Sequence, residues 1–152
     1  MSPDERSGAF YGRRKGKKLR AGQESLLAEL LPRLRLPEAG PLDLARLFGP
    51  SRPVILEIGF GGGEHLAYRA DLLPDHGFIG AEPFVNGVAQ ALVHVRGDAE
   101  GRGALANVRL HHGDALEVLR RVPDGALTML YLLHPDPWPK ARHAKRRMMN
   151  DG

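Results

Sequence analysis

Val54-Ile55-Leu56-Glu57-Ile58-Gly59-Phe60-Gly61-Gly62-Gly63-Glu64 is the stretch that decides the fold. Residues 54–58 are aliphatic apart from Glu57 and predict a buried strand. The glycines that follow let the backbone turn tightly and let a ligand approach the amides of the next helix, which the pattern places at about 63–73. A dinucleotide fingerprint, G-x-G-x-x-G, would put glycine at position 64. This chain has Glu64 there and Gly63 one place earlier. A carboxylate at a helix start repels an arriving pyrophosphate, so a nicotinamide dinucleotide is disfavoured.

Strand and helix signals alternate outward from that turn. Residues 77–81 predict a second strand and 86–95 a helix; 108–111 predict a third strand and 114–121 a helix; 127–133 predict a fourth, strongly apolar strand. Upstream, Leu26, Leu27, Leu30, Leu31 and Leu34 recur at helical spacing, predicting a helix over 23–34 closed by Pro37 and the Gly40-Pro41 pair. A short helix is expected over 42–48. Strands of this length separated by helices imply an α/β domain with a parallel sheet and right-handed crossovers. The domain is expected to run over 23–152, behind a basic, flexible segment at 1–22 with little apolar periodicity.

Acidic residues fall where such sheets bind ligands, at the carboxyl ends of the strands. Glu82 ends the second strand and can accept both hydroxyl hydrogens of an adenosine ribose; alternatively it only shapes a strand-end turn. Asp114, after Gly113, can accept from an adenine amino group or cap the following helix.

Composition bounds the possibilities. The chain has 152 residues, 42% hydrophobic and 26% charged, as in an ordinary globular domain. It has no cysteine, which excludes disulfides and thiolate metal sites, and no metal is expected. No run approaches the roughly 20 apolar residues of a membrane span, so a cytoplasmic protein without membrane contact is expected. The net charge of +4 is uneven: residues 1–20 carry +5, residues 140–152 carry +4, and the stretch between carries −5. Basic ends on an acidic body suit a polyanionic partner, although a solubilising tail has the same signature.

The fourth strand leads into His134-Pro135-Asp136-Pro137-Trp138-Pro139-Lys140, then Ala141-Arg142-His143-Ala144-Lys145-Arg146-Arg147. Prolines bracketing an acid before a tryptophan suggest a preorganised base-binding loop, with Trp138 as a stacking face or as packing beneath it. P-D-P-W-x-K-x-R-H-x-K-R-R after E-I-G-F-G-x-G is similar to the bacterial tRNA (guanine-N7-)-methyltransferase family, and the resemblance extends to the amino-terminal G-R-R and its basic stretch. It implies a Rossmann-like class I S-adenosylmethionine-dependent methyltransferase fold, and methylation of guanine N7 in the tRNA variable loop.

By that resemblance Glu57, Gly59, Gly61, Gly63, Glu82 and Asp114 hold S-adenosylmethionine, and Asp136 is the catalytic acid, able to face the base or the methionine end of the cofactor. Lys140 contacts tRNA, with Trp138, Arg142, Lys145 and Arg146 beside it. His134 departs from the family's usual aromatic residue such as Phe. Only the parallel-sheet half of the fold is legible. The carboxyl-terminal strands are expected to be missing, with the fourth strand left as an apolar edge prone to pairing. The oligomeric state is expected to be monomer or homodimer. The alternative reading is a non-catalytic RNA-binding remnant or fragment of such an enzyme.

The basic amino-terminal segment makes a measurable difference if it meets phosphates. Replacing Lys15, Lys17 and Lys18 with Ala should weaken tRNA binding and flatten the slope of log affinity against log salt, because fewer counterions are released. An unchanged slope would assign the segment to solubility alone.

Overall fold

The computed structural model describes residues 17–98 and 102–132. Near the amino end, α1 (Ala21–Glu29) and α2 (Leu31–Leu34) stand where one helix over 23–34 was expected. Pro32 divides them, since it lacks the N–H that would continue the ladder and its ring crowds the preceding turn. The leucine stripe still works as read: Leu26, Leu27, Leu30, Leu31 and Leu34 all pack against the core. A short helix, α3 (Leu44–Phe48), starts at Asp43, whose side chain accepts from Arg46 N–H at 3.1 Å, and ends at Gly49 with φ of 102°.

The alternating unit then runs β1 (Val54–Ile58), α4 (Glu64–Leu72), β2 (Gly77–Glu82), α5 (Val85–Val95), β3 (Val108–His112), α6 (Ala115–Leu119) and β4 (Met129–Leu132). All the pairings are parallel, and the sheet order is β3-β2-β1-β4. The chain winds outward from β1 to β3, then crosses back to place β4 on the other side of β1. This is the Rossmann-like α/β arrangement expected from the sequence. The reversal between β1 and β4 opens a crevice at their carboxyl ends, where such sheets take ligands.

Strand alternation divides the core into two layers. Ile55 and Phe78 face α4 and α5 with Leu66, Val88 and Leu92, while Leu56, Ile58, Ile79 and Ala81 face the other side with Phe48, Ala115 and Val118. Every residue of β1 and β2 is buried, as in a parallel sheet covered on both faces. Among the described residues β4 pairs with β1 alone, and Met129, Leu130 and Leu132 are exposed. Within the described residues this apolar strand is thus an edge of the sheet. No helix among the described residues is long and apolar enough to cross a membrane.

Two side chains tie the amino ends of the strands. Arg109 donates to the carbonyls of Ala106, Val108 and Leu47, and burial lowers its pKa from the usual arginine value. Asn107, at the entry to β3, directs Nδ2 at the carbonyls of Ala70, Leu73 and His76, at 3.1, 3.1 and 2.9 Å. These carbonyls end α4 and lead into β2, so one amide clamps the α4–β2 turn against β3. Asn107→Ala strands acceptors in a partly buried place and should cost about 1–3 kcal/mol, read as a lower urea midpoint with an unchanged m value.

Candidate functional site

The glycine turn after β1 has a left-handed backbone at Gly59, Gly61 and Gly63, with φ of 67°, 61° and 81°. Such angles strain any residue with a Cβ. Phe60 anchors the turn from below: it is buried, and its ring fits only because Gly80 of β2 has no side chain, since a Cβ there would lie 2.7 Å from the ring. Gly63 begins α4 so close to α5 that a Cβ would come within 2.5 Å of Ala91 Cβ. The turn is therefore wedged between β2 beneath it and α5 beside it.

Glu82, at the carboxyl end of β2, fastens that wedge. Its Oε1 accepts from Gly61 N–H at 2.8 Å and its Oε2 from Phe84 N–H at 3.1 Å. One nearly buried carboxylate thus joins the glycine turn to the start of α5. The bond to Gly61 has a chemical consequence. An amide of the turn that would cradle a phosphate already faces an anion, and Glu64, taking a 3.0 Å hydrogen bond from Gln90 Nε2, adds a second carboxylate at the flank. Sequence reasoning assigned the exclusion of phosphate to Glu64, which stands at the start of α4; an acid at the place of Glu82 occurs in dinucleotide folds as well and does not by itself distinguish the two ligands. Each Glu82 oxygen, with one N–H accepted, keeps a lone pair for a further donor such as a hydroxyl.

The other expected residues are placed as follows. Glu57 lies in β1 with its side chain fully buried, and Oε1 is 2.6 Å from His65 Nδ1 on the first turn of α4. Asp114 caps α6, its Oδ1 accepting from Leu116 N–H at 2.8 Å, which leaves Oδ2 as the atom available to a ligand. The capping reading of Asp114 is thus realised without excluding a binding role. The backbones of β2 and β3 meet nearby, with Gly113 N–H on Glu82 O at 3.1 Å. Asn86 Nδ2 donates to Lys17 O at 2.6 Å and so brings the end of the basic segment to the first turn of α5. Asp136, Trp138, Lys140, Arg142, Lys145 and Arg146 lie outside the described residues.

The sequence reading missed His65 and Tyr131. Tyr131 is the register partner of Glu57, its ring lies edge-on to His65 with centroids 5.7 Å apart, and Arg69 stands 4.4 Å over its centre. A histidine two residues beyond a glycine turn carries no local signal of a partner back in the strand; only the fold brings the two together. No group of three or more metal-ligating side chains occurs among the described residues. A cavity of about 450 Å³ opens at the opposite edge, lined by Phe48, Arg52, Asp71, Pro74 and Asn107. It lies at the strands' amino ends, away from the crevice of the topological switch.

The sequence profile of the family described as "Putative methyltransferase" matches residues 51–152. The chain is 72% identical over 143 residues to the "tRNA (guanine-N(7)-)-methyltransferase" of Sphingopyxis alaskensis, covering 94% of this chain and 60% of the relative. A protein of the same description from Novosphingobium aromaticivorans is 70% identical with the same coverage. One from Zymomonas mobilis is 53% identical, again over 94% of this chain and 60% of the relative. The chain thus spans about three-fifths of the length of these curated relatives.

The closeness of α5 to the turn makes a clear test. A Cβ on Gly87 would lie 2.3 Å from Gly61 O, a backbone atom that no rotamer change can move. Alanine gains about 1 kcal/mol of helix propensity over glycine, but overpacking typically costs about 1–3 kcal/mol. The clash should win: Gly87→Ala is expected to lower the melting temperature, whereas Gly22→Ala in α1, with open space around it, should not.

Proposed function

This chain belongs to the methyltransferase family whose profile spans residues 51–152, and we propose that it binds S-adenosylmethionine at the carboxyl edge of β1, β2 and β3 and serves methyl transfer to guanine N7 of tRNA. The observation that carries the cofactor assignment is the Glu82 carboxylate on Gly61 N–H. That bond fixes a carboxylate where an adenosine ribose can meet it, as in dinucleotide folds, while Glu64 at the start of α4 disfavours the pyrophosphate of a dinucleotide. Glu82 would accept the ribose hydroxyls, Asp114 Oδ2 an adenine amino hydrogen, and Glu57 would serve the charged methionine end. When bound, S-adenosylmethionine supplies an electrophilic methyl group on a sulfonium.

The choice of tRNA guanine rests on the relatives' description and on the Pro135-Asp136-Pro137-Trp138 sequence that follows β4. Guanine N7 has an in-plane lone pair and carries no proton, so the chain need not supply a general base before attack. Its task is alignment, which can be worth roughly 7–11 kcal/mol in favourable cases. Asp136, accepting from the guanine N1–H and amino group, would steady the positive charge that develops on the base. Lys140, Arg142, Lys145 and Arg146 would meet the tRNA backbone, and Lys17, held near the start of α5, would extend that basic surface on the cofactor side. The domain would occupy 23–152 with the basic segment ahead of it, in the cytoplasm where tRNA resides.

Calorimetry should find S-adenosylmethionine bound more tightly than NAD, and Glu82→Ala should weaken it by about 1.5–3 kcal/mol, the worth of a hydrogen bond to a charged group. Tighter binding of NAD would reject the reading. With the chain extended by the carboxyl-terminal segment of a relative, nucleoside analysis of treated tRNA should detect 7-methylguanosine. Asp136→Ala should slow its formation while changing cofactor affinity less.

A further inference from the structure

We infer that His65 is a positioning residue for Glu57, holding that carboxylate in one rotamer for the cationic end of the cofactor. The inference rests on the S-adenosylmethionine reading above. Glu57 is fully buried in the centre of the sheet, where an ionised carboxylate is costly unless hydrogen-bond donors or cations meet it. His65 Nδ1 meets Oε1 at 2.6 Å, the short separation of a charge-assisted hydrogen bond.

The imidazole is itself fixed. The ring of Tyr131 stands edge-on to it at an interplanar angle of 73°, and the Arg69 guanidinium covers the face of Tyr131. Among the described residues, the charged and titratable groups seen on this face include Glu57 from β1, His65 and Arg69 from α4, and Tyr131 from β4. Because Tyr131 is the register partner of Glu57, the seating of β4 sets the imidazole, and the imidazole sets the carboxylate. The strand that leads toward Asp136 is thereby tied to the acid that serves the cofactor. His65 is itself about two-fifths exposed, so replacing it leaves no sealed cavity.

The test is titration of S-adenosylmethionine into the chain, His65→Leu, His65→Asn, Glu57→Gln and the Glu57→Gln/His65→Leu double variant, each checked by thermal unfolding. His65→Leu should weaken binding about tenfold or more, the scale of a lost hydrogen bond to a charged group. His65→Asn, whose amide N–H can take the place of Nδ1–H, should recover affinity to within about threefold of the parent. In the Glu57→Gln background His65→Leu should cause little further loss, because the carboxylate it served is gone. Should leucine unsettle α4, His65→Ser carries the same expectation as His65→Leu. Unchanged affinity in His65→Leu, no rescue by His65→Asn, or a His65→Leu effect undiminished beside Glu57→Gln would each overturn the inference. Failure of the parent chain itself to bind S-adenosylmethionine would instead remove the cofactor reading on which the inference stands.

Discussion

The site depends on one carboxylate. Glu82 accepts from Gly61 N–H and Phe84 N–H, and so binds the turn after β1 to the segment that starts α5. Hydrogen bonds to ionised groups are worth more than neutral ones, about 1.5–3 kcal/mol each, and here they act in a place nearly closed to water. The left-handed glycines, the missing side chains at Gly80 and Gly87, and the contact of Gly63 with Ala91 all bring the turn to this position. In the proposed site the remaining lone pairs of Glu82 would take the ribose hydroxyls.

The sheet supplies the rest by topology. Parallel strands align their carboxyl ends, so Glu57, Glu82 and Asp114, far apart in sequence, arrive at one edge. Each is held differently: Glu57 by His65, Glu82 by two backbone amides, Asp114 by the first turn of α6. Concentrating carboxylates in one place is electrostatically unfavourable, and these fixed donors offset part of that cost locally. In the proposed function the same concentration would favour a sulfonium-bearing ligand, and the basic residues at the two ends of the sequence would serve a polyanion.

Much of this was legible in the sequence because the strongest signals are local. The aliphatic run of β1, the glycines after it and the leucine stripe of α1 and α2 each declare their structure within a few residues. The break at Pro32 was also written locally, but the continuous leucine stripe masked it. What could not be read were side-chain destinations. Nothing near Glu82 announces that it will accept from Gly61, 21 residues earlier. Nothing near His65 announces Glu57 and Tyr131, which only the pairing of β4 with β1 brings beside it. Asp114 shows a third case: the capping reading is realised through Oδ1, and the binding reading remains a proposal for the other oxygen. The residues from Asp136 to Arg146, where the resemblance is most specific, lie outside the described part of the fold.

The central claim is that Glu82, fixed by the amide of the glycine turn, is the ribose acceptor of the proposed site. A crystal structure of the chain with S-adenosylhomocysteine tests it most directly. The account predicts both ribose hydroxyls within about 2.5–3.0 Å of the Glu82 oxygens, with Gly61 N–H still on Oε1. A ribose bound elsewhere, or a Gly61 amide released from Glu82 to hold an anionic group of the ligand, would contradict it.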